Sequence, residues 1–165
     1  MSRRPLHPAN SPRRGVVLIG LLLMLLVLGL LAERGAEVWA TTVRREAEMQ
    51  LLFVGEQYRQ AIRRYYFAAP PGQARVLPAS LEELLDDRRS LVPAQHLRRL
   101  YPDPVSPDGE WGLVMQGNRI SGVHSLSEDK PIKQSGFAPA LSVFEGRATY
   151  REWMFVFTPP ATRRR

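Results

Sequence analysis

The chain has 165 residues, a formal net charge of +7 and no cysteine, which leaves room for one modest domain beside an anchor. The lack of cysteine excludes disulfides, lipoprotein acylation and thiolate metal sites. The excess positive charge lies at the two ends, with no interleaved aromatic residues to stack bases, so we predict no nucleic-acid binding.

An uncharged apolar run occupies residues 16–32 and follows a basic segment that contains Arg3, Arg4, Arg13 and Arg14. As a helix this run is roughly 26 Å long, the short end of what spans a bilayer. It is longer than the apolar core of a cleaved secretory signal, and "LLAERGAEVWA" offers only poor sites for such cleavage. We therefore predict a transmembrane segment at 16–32, oriented by the preceding arginines with its N-terminus in the cytoplasm.

The chain has no proline between Pro12 and Pro70, and an apolar stripe of helical spacing follows the run. Steps of three and four residues predict an amphipathic helix that continues to residue 66. The stripe comprises Trp39, Val43, Ala47, Leu51, Val54, Tyr58, Ile62 and Tyr65. The charged residues are predicted to lie mostly on the other, solvated faces: Glu37, Arg44, Arg45, Glu48, Glu56, Arg59 and Arg63.

The remaining residues have the composition of loops, one short helix and a few strands. Ser80 and Glu83 have capping-box spacing, so "SLEELLDDRRSLV" is predicted to be a helix with an apolar face of Leu81, Leu84 and Leu85. "EWGLVMQGNRISGVHSLS" predicts a β-hairpin that turns at Gly117 and Asn118. The apolar residues Trp111, Leu113 and Met115 are predicted to point to one side before the turn, and Ile120, Val123 and Leu126 follow after it.

A last strand is predicted in "TYREWMFVFT", where Trp153, Phe155 and Phe157 share one face. Strands in series after one long helix predict an α+β fold, in which a small antiparallel sheet packs on the amphipathic part of that helix. The apolar stripe of the helix would pack against the aromatic face of this last strand.

This order resembles type IV pilin-like proteins, and more narrowly the pseudopilins of type II secretion systems. The basic "PRRG" leader ends at Gly15, the span "VVLIGLLLMLLVLGLLA" follows, and the helix leads into a small sheet domain. "LYPDP" followed by "EWGLV" resembles the segment before the first strand of major pseudopilins. The resemblance implies a pilin-like fold with a cleaved leader at 1–15, a helix at 16–66, a periplasmic head at 67–158 and a basic tail at 159–165.

The resemblance further implies a structural subunit of a secretion machine in the bacterial inner membrane. A prepilin peptidase would cut between Gly15 and Val16, the new N-terminus would be methylated, and the helix would assemble with other pseudopilins and inner-membrane secretion components. The family usually carries a glutamate five residues after the cut, and here that position is Gly20. The chain also lacks the usual phenylalanine or methionine after the cut and the proline that commonly kinks the span.

Catalytic and metal sites are not predicted. His124 and Ser125 are adjacent on a predicted strand and would point to opposite faces, and Asp103 and Asp108 lie in a proline-rich loop that favours turn formation. Major pseudopilins bind calcium in a late loop. The two adjacent acids here, Glu128 and Asp129, do not make the six-oxygen cage that calcium needs. We predict no enzymatic activity and no cofactor. The alternative to a pseudopilin is a single-pass, membrane-anchored periplasmic binding domain unrelated to secretion.

Overall fold

The computed structural model describes residues 13–160, and within this range the side chains of residues 13, 14 and 30–38 are outside the description. Most of the predicted leader and the end of the predicted basic tail therefore lie outside the described residues. The chain divides into two compact units, residues 1–43 and 44–165, which are described separately below.

One helix, α1, runs from Arg13 to Phe67 and has 55 residues. It begins three residues before the predicted position 16 and ends one residue after the predicted position 66. Its length follows from the proline-free sequence, because proline in a helix interior removes a hydrogen bond and clashes with the preceding turn. The helix ends before Pro70, since the residue preceding a proline avoids helical dihedrals. A last backbone bond of 2.9 Å joins the Ala68 amide to the Arg64 carbonyl.

The second unit is α+β, as predicted: the C-terminal half of α1 packs on a three-stranded antiparallel sheet of order β1-β2-β3. The strands are β1 (Trp111–Gln116), β2 (Arg119–Ser125) and β3 (Met154–Val156). Gly117 has a φ of 64°, and no non-glycine residue among those described has a positive φ. This combination matches a type II′ hairpin turn, in which only the first central residue needs the left-handed region. The predicted hairpin is confirmed.

The core lies between α1 and the sheet. Five residues of the predicted stripe, from Leu51 to Tyr65, are buried, whereas Trp39 and Val43 are exposed. The backbone of Gly55 approaches the Phe155 ring so closely that a Cβ at this position would clash with it. The buried apolar residues of the core are Leu51, Val54, Tyr58, Ala61, Ile62, Tyr65, Tyr66, Leu77, Leu84, Leu97, Ile120, Val123, Phe144, Tyr150, Trp153 and Phe155.

The aromatic face predicted for the last strand is confirmed. Trp153 and Phe155 are buried, and the Trp153 indole stacks on the Phe144 ring at 5.4 Å with an interplanar angle of 8°. Phe144 belongs to a 3₁₀ helix, Pro139–Phe144, within the long connection between β2 and β3. The connection therefore supplies core side chains.

The predicted short helix is wrong. Only Glu82–Leu84 form a 3₁₀ helix, and the residue before it, Leu81, makes no side-chain cap bond. The Glu83 carboxylate instead accepts hydrogen bonds from the Ala79 amide and from the Tyr65 hydroxyl. The chain then leaves helical geometry because Asp87 and Ala94 exchange two backbone hydrogen bonds across a loop that contains a proline.

Alternation in β1 and β2 is only partly confirmed. Ile120 and Val123 are buried, but Leu113, Met115 and Leu126 are exposed, and Trp111 is half-buried. Strand β1 is an edge strand, and its register with β2 shifts between Val114 and Met115. At this edge Trp111 and Leu113 line an open cavity, so the core covers these two side chains only in part.

Candidate functional site

The sequence places the candidate processing and assembly residues at the start of α1. Gly15, Val16 and Gly20 all lie in the helix, and Val16 and Gly20 are four residues apart, which puts them on the same face. A Cβ added at Gly15 or at Gly20 would meet no atom within 4 Å, so neither glycine is required by local packing.

Every described large apolar side chain in this part of α1 is exposed. Exposure ranges from 50% at Leu28 to 72% at Val16, and it includes neighbouring residues that point in all directions around the helix. Among the described residues, no helix is long and apolar enough to cross a membrane. A continuous exposed apolar surface of this kind marks a site of interaction rather than a solvated helix.

The carboxylate of Glu48 is buried in the second unit, which corrects the prediction of a solvated helix face. It accepts hydrogen bonds from the amides of Ile132 (2.7 Å) and Lys133 (3.1 Å) and from the Tyr150 hydroxyl (2.8 Å). A buried carboxylate is costly unless it is hydrogen-bonded, and these three donors meet that requirement. The signal in the sequence is the spacing, since Glu48 lies three residues before the buried Leu51 and therefore on the same side of the helix.

This carboxylate fixes the long connection between β2 and β3 to α1. Burial and the hydrogen bond to Glu48 raise the pKa of Tyr150 to about 12, so its hydroxyl remains a donor at neutral pH. Two exposed ion pairs lie on the same connection, between Asp129 and Arg44 (3.7 Å) and between Glu128 and Arg151 (2.5 Å). Exposed pairs contribute little, so among these polar contacts the Glu48 bonds contribute most to the attachment.

A second buried polar cluster, which the sequence did not predict, lies at the C-terminal end of α1. Arg89 donates two bonds to the Asp87 carboxylate (2.8 and 2.6 Å) and one to the Tyr65 carbonyl (2.6 Å). His96 Nε2 lies 3.0 Å from the same carboxylate. The Arg89 guanidinium, followed by the His96 bond, holds the pKa of Asp87 well below its usual range. The cluster is assembled by the Asp87–Ala94 pairing, which residue spacing does not reveal.

The side chains considered for catalysis have structural partners. Ser125 is buried and donates to Asp103 (2.6 Å), while the other Asp103 oxygen accepts from the Val105 amide as a turn-forming aspartate does. The His124 ring lies over Gly112 on the hairpin. The part of the chain that the structure describes contains no group of three or more acidic or histidine side chains placed to hold a metal ion.

In comparisons with known proteins, no protein-family model, no curated protein and no solved structure matches the chain.

Proposed function

We propose that this chain is a structural, pseudopilin-like subunit of a type II secretion or type IV pilus-like machine. The proposal rests on one observation. Within a single helix of 55 residues, the segment from Val16 to Leu28 exposes its apolar side chains on all sides, while the C-terminal half is buried against a small sheet. A segment of the first kind needs a partner, and a segment of the second kind carries a folded head.

The apolar half of α1 would supply both the membrane span and the assembly surface. The span is proposed from the sequence, in which the uncharged run continues to Ala32 and the basic residues precede it. The N-terminus would then lie in the cytoplasm and the head in the periplasm of a bacterial inner membrane. The partners would be other pseudopilins, inner-membrane secretion components and the prepilin peptidase.

Assembly by this chain would proceed without an intramembrane carboxylate. The sequence has no ionisable residue between Arg14 and Glu33, so Gly20 offers nothing to pair with the terminal amine of a neighbouring subunit. Contact would depend on apolar packing, for which glycine permits close approach of two helix backbones. The open space around Gly20 is compatible with such an approach.

The mass of the mature chain tests the proposal. We expect the full-length chain, expressed with an active prepilin peptidase, to lose residues 1–15 and to gain one methyl group at Val16. The same chain should keep its leader in a strain that lacks the peptidase, and a Gly15→Leu variant should keep it in both strains. An intact leader in the presence of the peptidase would contradict processing and favour an anchored binding domain.

A further inference from the structure

A groove of about 470 Å³ lies on the surface of the second unit, between α1 and the head. Its lining residues do not belong to the proposed assembly segment. One wall is a stripe of α1 formed by Phe53, Gln57 and Arg64. The other wall is the irregular segment after the Asp87–Ala94 pairing, which contributes Gln95 and Arg98. The groove is open and polar, and the aromatic side chains of Phe53 and Tyr101 are among its lining residues.

The groove carries positive charge that the protein does not compensate. Neither Arg64 nor Arg98 makes an ion pair or a side-chain hydrogen bond with another described residue, and none of the lining residues is a carboxylate. Asp87 contacts the lining residue His96, but its carboxylate is already engaged by Arg89 and by His96 itself. A concave surface lined by one sign of charge concentrates ligands of the opposite sign.

The dimensions and the neutral groups fit a short stretch of polypeptide. Phe53 and Arg64 are eleven residues apart on α1, a distance of roughly 16 Å, which equals about five residues of extended chain. The amides of Gln57 and Gln95 can each donate to a peptide carbonyl and accept from a peptide N–H. Phe53 is 63% exposed, which leaves an apolar contact for a side chain of the bound segment.

We propose that this groove binds an extended acidic segment of a partner protein, with its carboxylates on Arg64 and Arg98. Arginine suits this role because its planar guanidinium pairs with a carboxylate through two parallel hydrogen bonds. A small anion such as phosphate would use the two arginines and leave Phe53 and the glutamines without a role. The site functions in this way whether or not the chain is processed or assembled into a filament.

The binding test uses the full chain in a non-ionic detergent at about 0.15 M salt, where diffuse charge attraction is screened. The probe is a fluorescent peptide of sequence Glu-Leu-Glu-Leu-Glu, and its neutral match is Gln-Leu-Gln-Leu-Gln. We expect the acidic peptide to bind and the neutral peptide to bind at least tenfold more weakly. The double variant Arg64→Gln/Arg98→Gln should weaken binding about tenfold, the loss expected for two partly exposed charge pairs.

A matched control removes the same charge elsewhere. Arg45 and Arg63 are exposed residues of α1 outside this groove, so Arg45→Gln/Arg63→Gln should change the affinity less than twofold. Phe53→Ala should weaken peptide binding about threefold and leave competition by inorganic phosphate unchanged. Equal losses in the two double variants would overturn the proposal, because they would indicate diffuse charge. Equal binding of the two peptides, or phosphate binding without any preference for the acidic peptide, would overturn it as well.

Discussion

The two halves of α1 have the same secondary structure and opposite surroundings. From Val16 to Leu28 the apolar side chains are continuous and exposed, whereas from Leu51 to Tyr65 they recur every three or four residues and are buried. Both halves are rich in apolar residues. The difference shows that apolar content alone does not determine whether a helix is covered by its own chain.

The transition between these two environments is visible along the predicted stripe. Trp39 and Val43 fit the helical spacing but are exposed, while Leu51 and the residues after it are buried. Between them, Glu48 is the first buried side chain of α1 among the described residues. Its carboxylate is hydrogen-bonded to the long connection. The head therefore begins to cover α1 at Glu48 and not at the start of the stripe.

Removing the central indole of the head should have the largest effect. Trp153 is fully buried among Phe137, Phe144 and Tyr150, so Trp153→Ala should lower the free energy of unfolding by about 3–5 kcal/mol. Urea unfolding of the full chain in detergent, followed by near-UV circular dichroism, measures this loss. Trp39→Ala, at a residue that is 72% exposed, is the matched control and should change it by less than about 0.5 kcal/mol. Similar losses for both would contradict the difference between the two halves.

The buried carboxylate gives the second test. Glu48→Gln replaces one acceptor oxygen with an N–H₂ group that faces the amide donors of the connection, and should cost about 3 kcal/mol of stability. Glu46→Gln, at an exposed residue on the same turn, should cost less than about 0.5 kcal/mol. Chemical denaturation of the two variants compares them. Equal stability of both would show that Glu48 does not hold the connection.

The pH dependence of the same bond follows from the pKa of Tyr150, which is raised to about 12 from an ordinary value of 10.0. Because the unfolded chain releases this proton more easily, the stability contributed by Tyr150 is fully present below pH 10 and is lost as the pH rises toward 12. The wild type should therefore lose roughly 1–2 kcal/mol more than Tyr150→Phe over that interval. Unfolding curves at pH 9, 10, 11 and 12 test this, and parallel losses in both proteins would exclude the effect.

A glycine-to-alanine pair compares the two halves of α1 at a single added methyl group. At Gly55 a Cβ would clash with the buried Phe155 ring, so Gly55→Ala should destabilise the head by about 1–3 kcal/mol. At Gly20 a Cβ meets nothing, so Gly20→Ala should leave the head unchanged and favour the helix by up to about 1 kcal/mol. Thermal unfolding distinguishes the two signs. A neutral Gly55→Ala would show that α1 does not lie as close to β3 as described.

The sequence predicted those parts of the fold that depend on local periodicity and turn chemistry. Residue spacing alone predicts the helical stripe around Tyr58 and the aromatic face of β3. The backbone preference of glycine predicts the turn at Gly117. The sequence did not predict features that depend on contacts between distant segments. Glu48 meets donors more than 80 residues away, and the helix predicted after Ser80 is lost because Glu83 binds Ala79 and Tyr65 instead.

For the candidate site, the sequence located Gly15, Val16 and Gly20 from the leader and the apolar run, and these residues remain predictions for processing and assembly. These residues lie in a helix segment whose apolar side chains are exposed, and an exposed apolar surface of this kind needs a partner. The groove around Arg64 and Arg98 could not be predicted, because its two walls come from segments about 30 residues apart that are brought together by the head.

Cysteine crosslinking along α1 tests the central claim most directly, namely that the exposed apolar segment contacts other subunits. The chain has no cysteine, so single cysteines can be placed one at a time at residues 16–28 of the full chain without removing native thiols. In membranes of cells that contain the other secretion components, we predict crosslinks to a neighbouring subunit that recur every three or four positions. Cysteines that crosslink at no position, or equally at all positions, would contradict the claim.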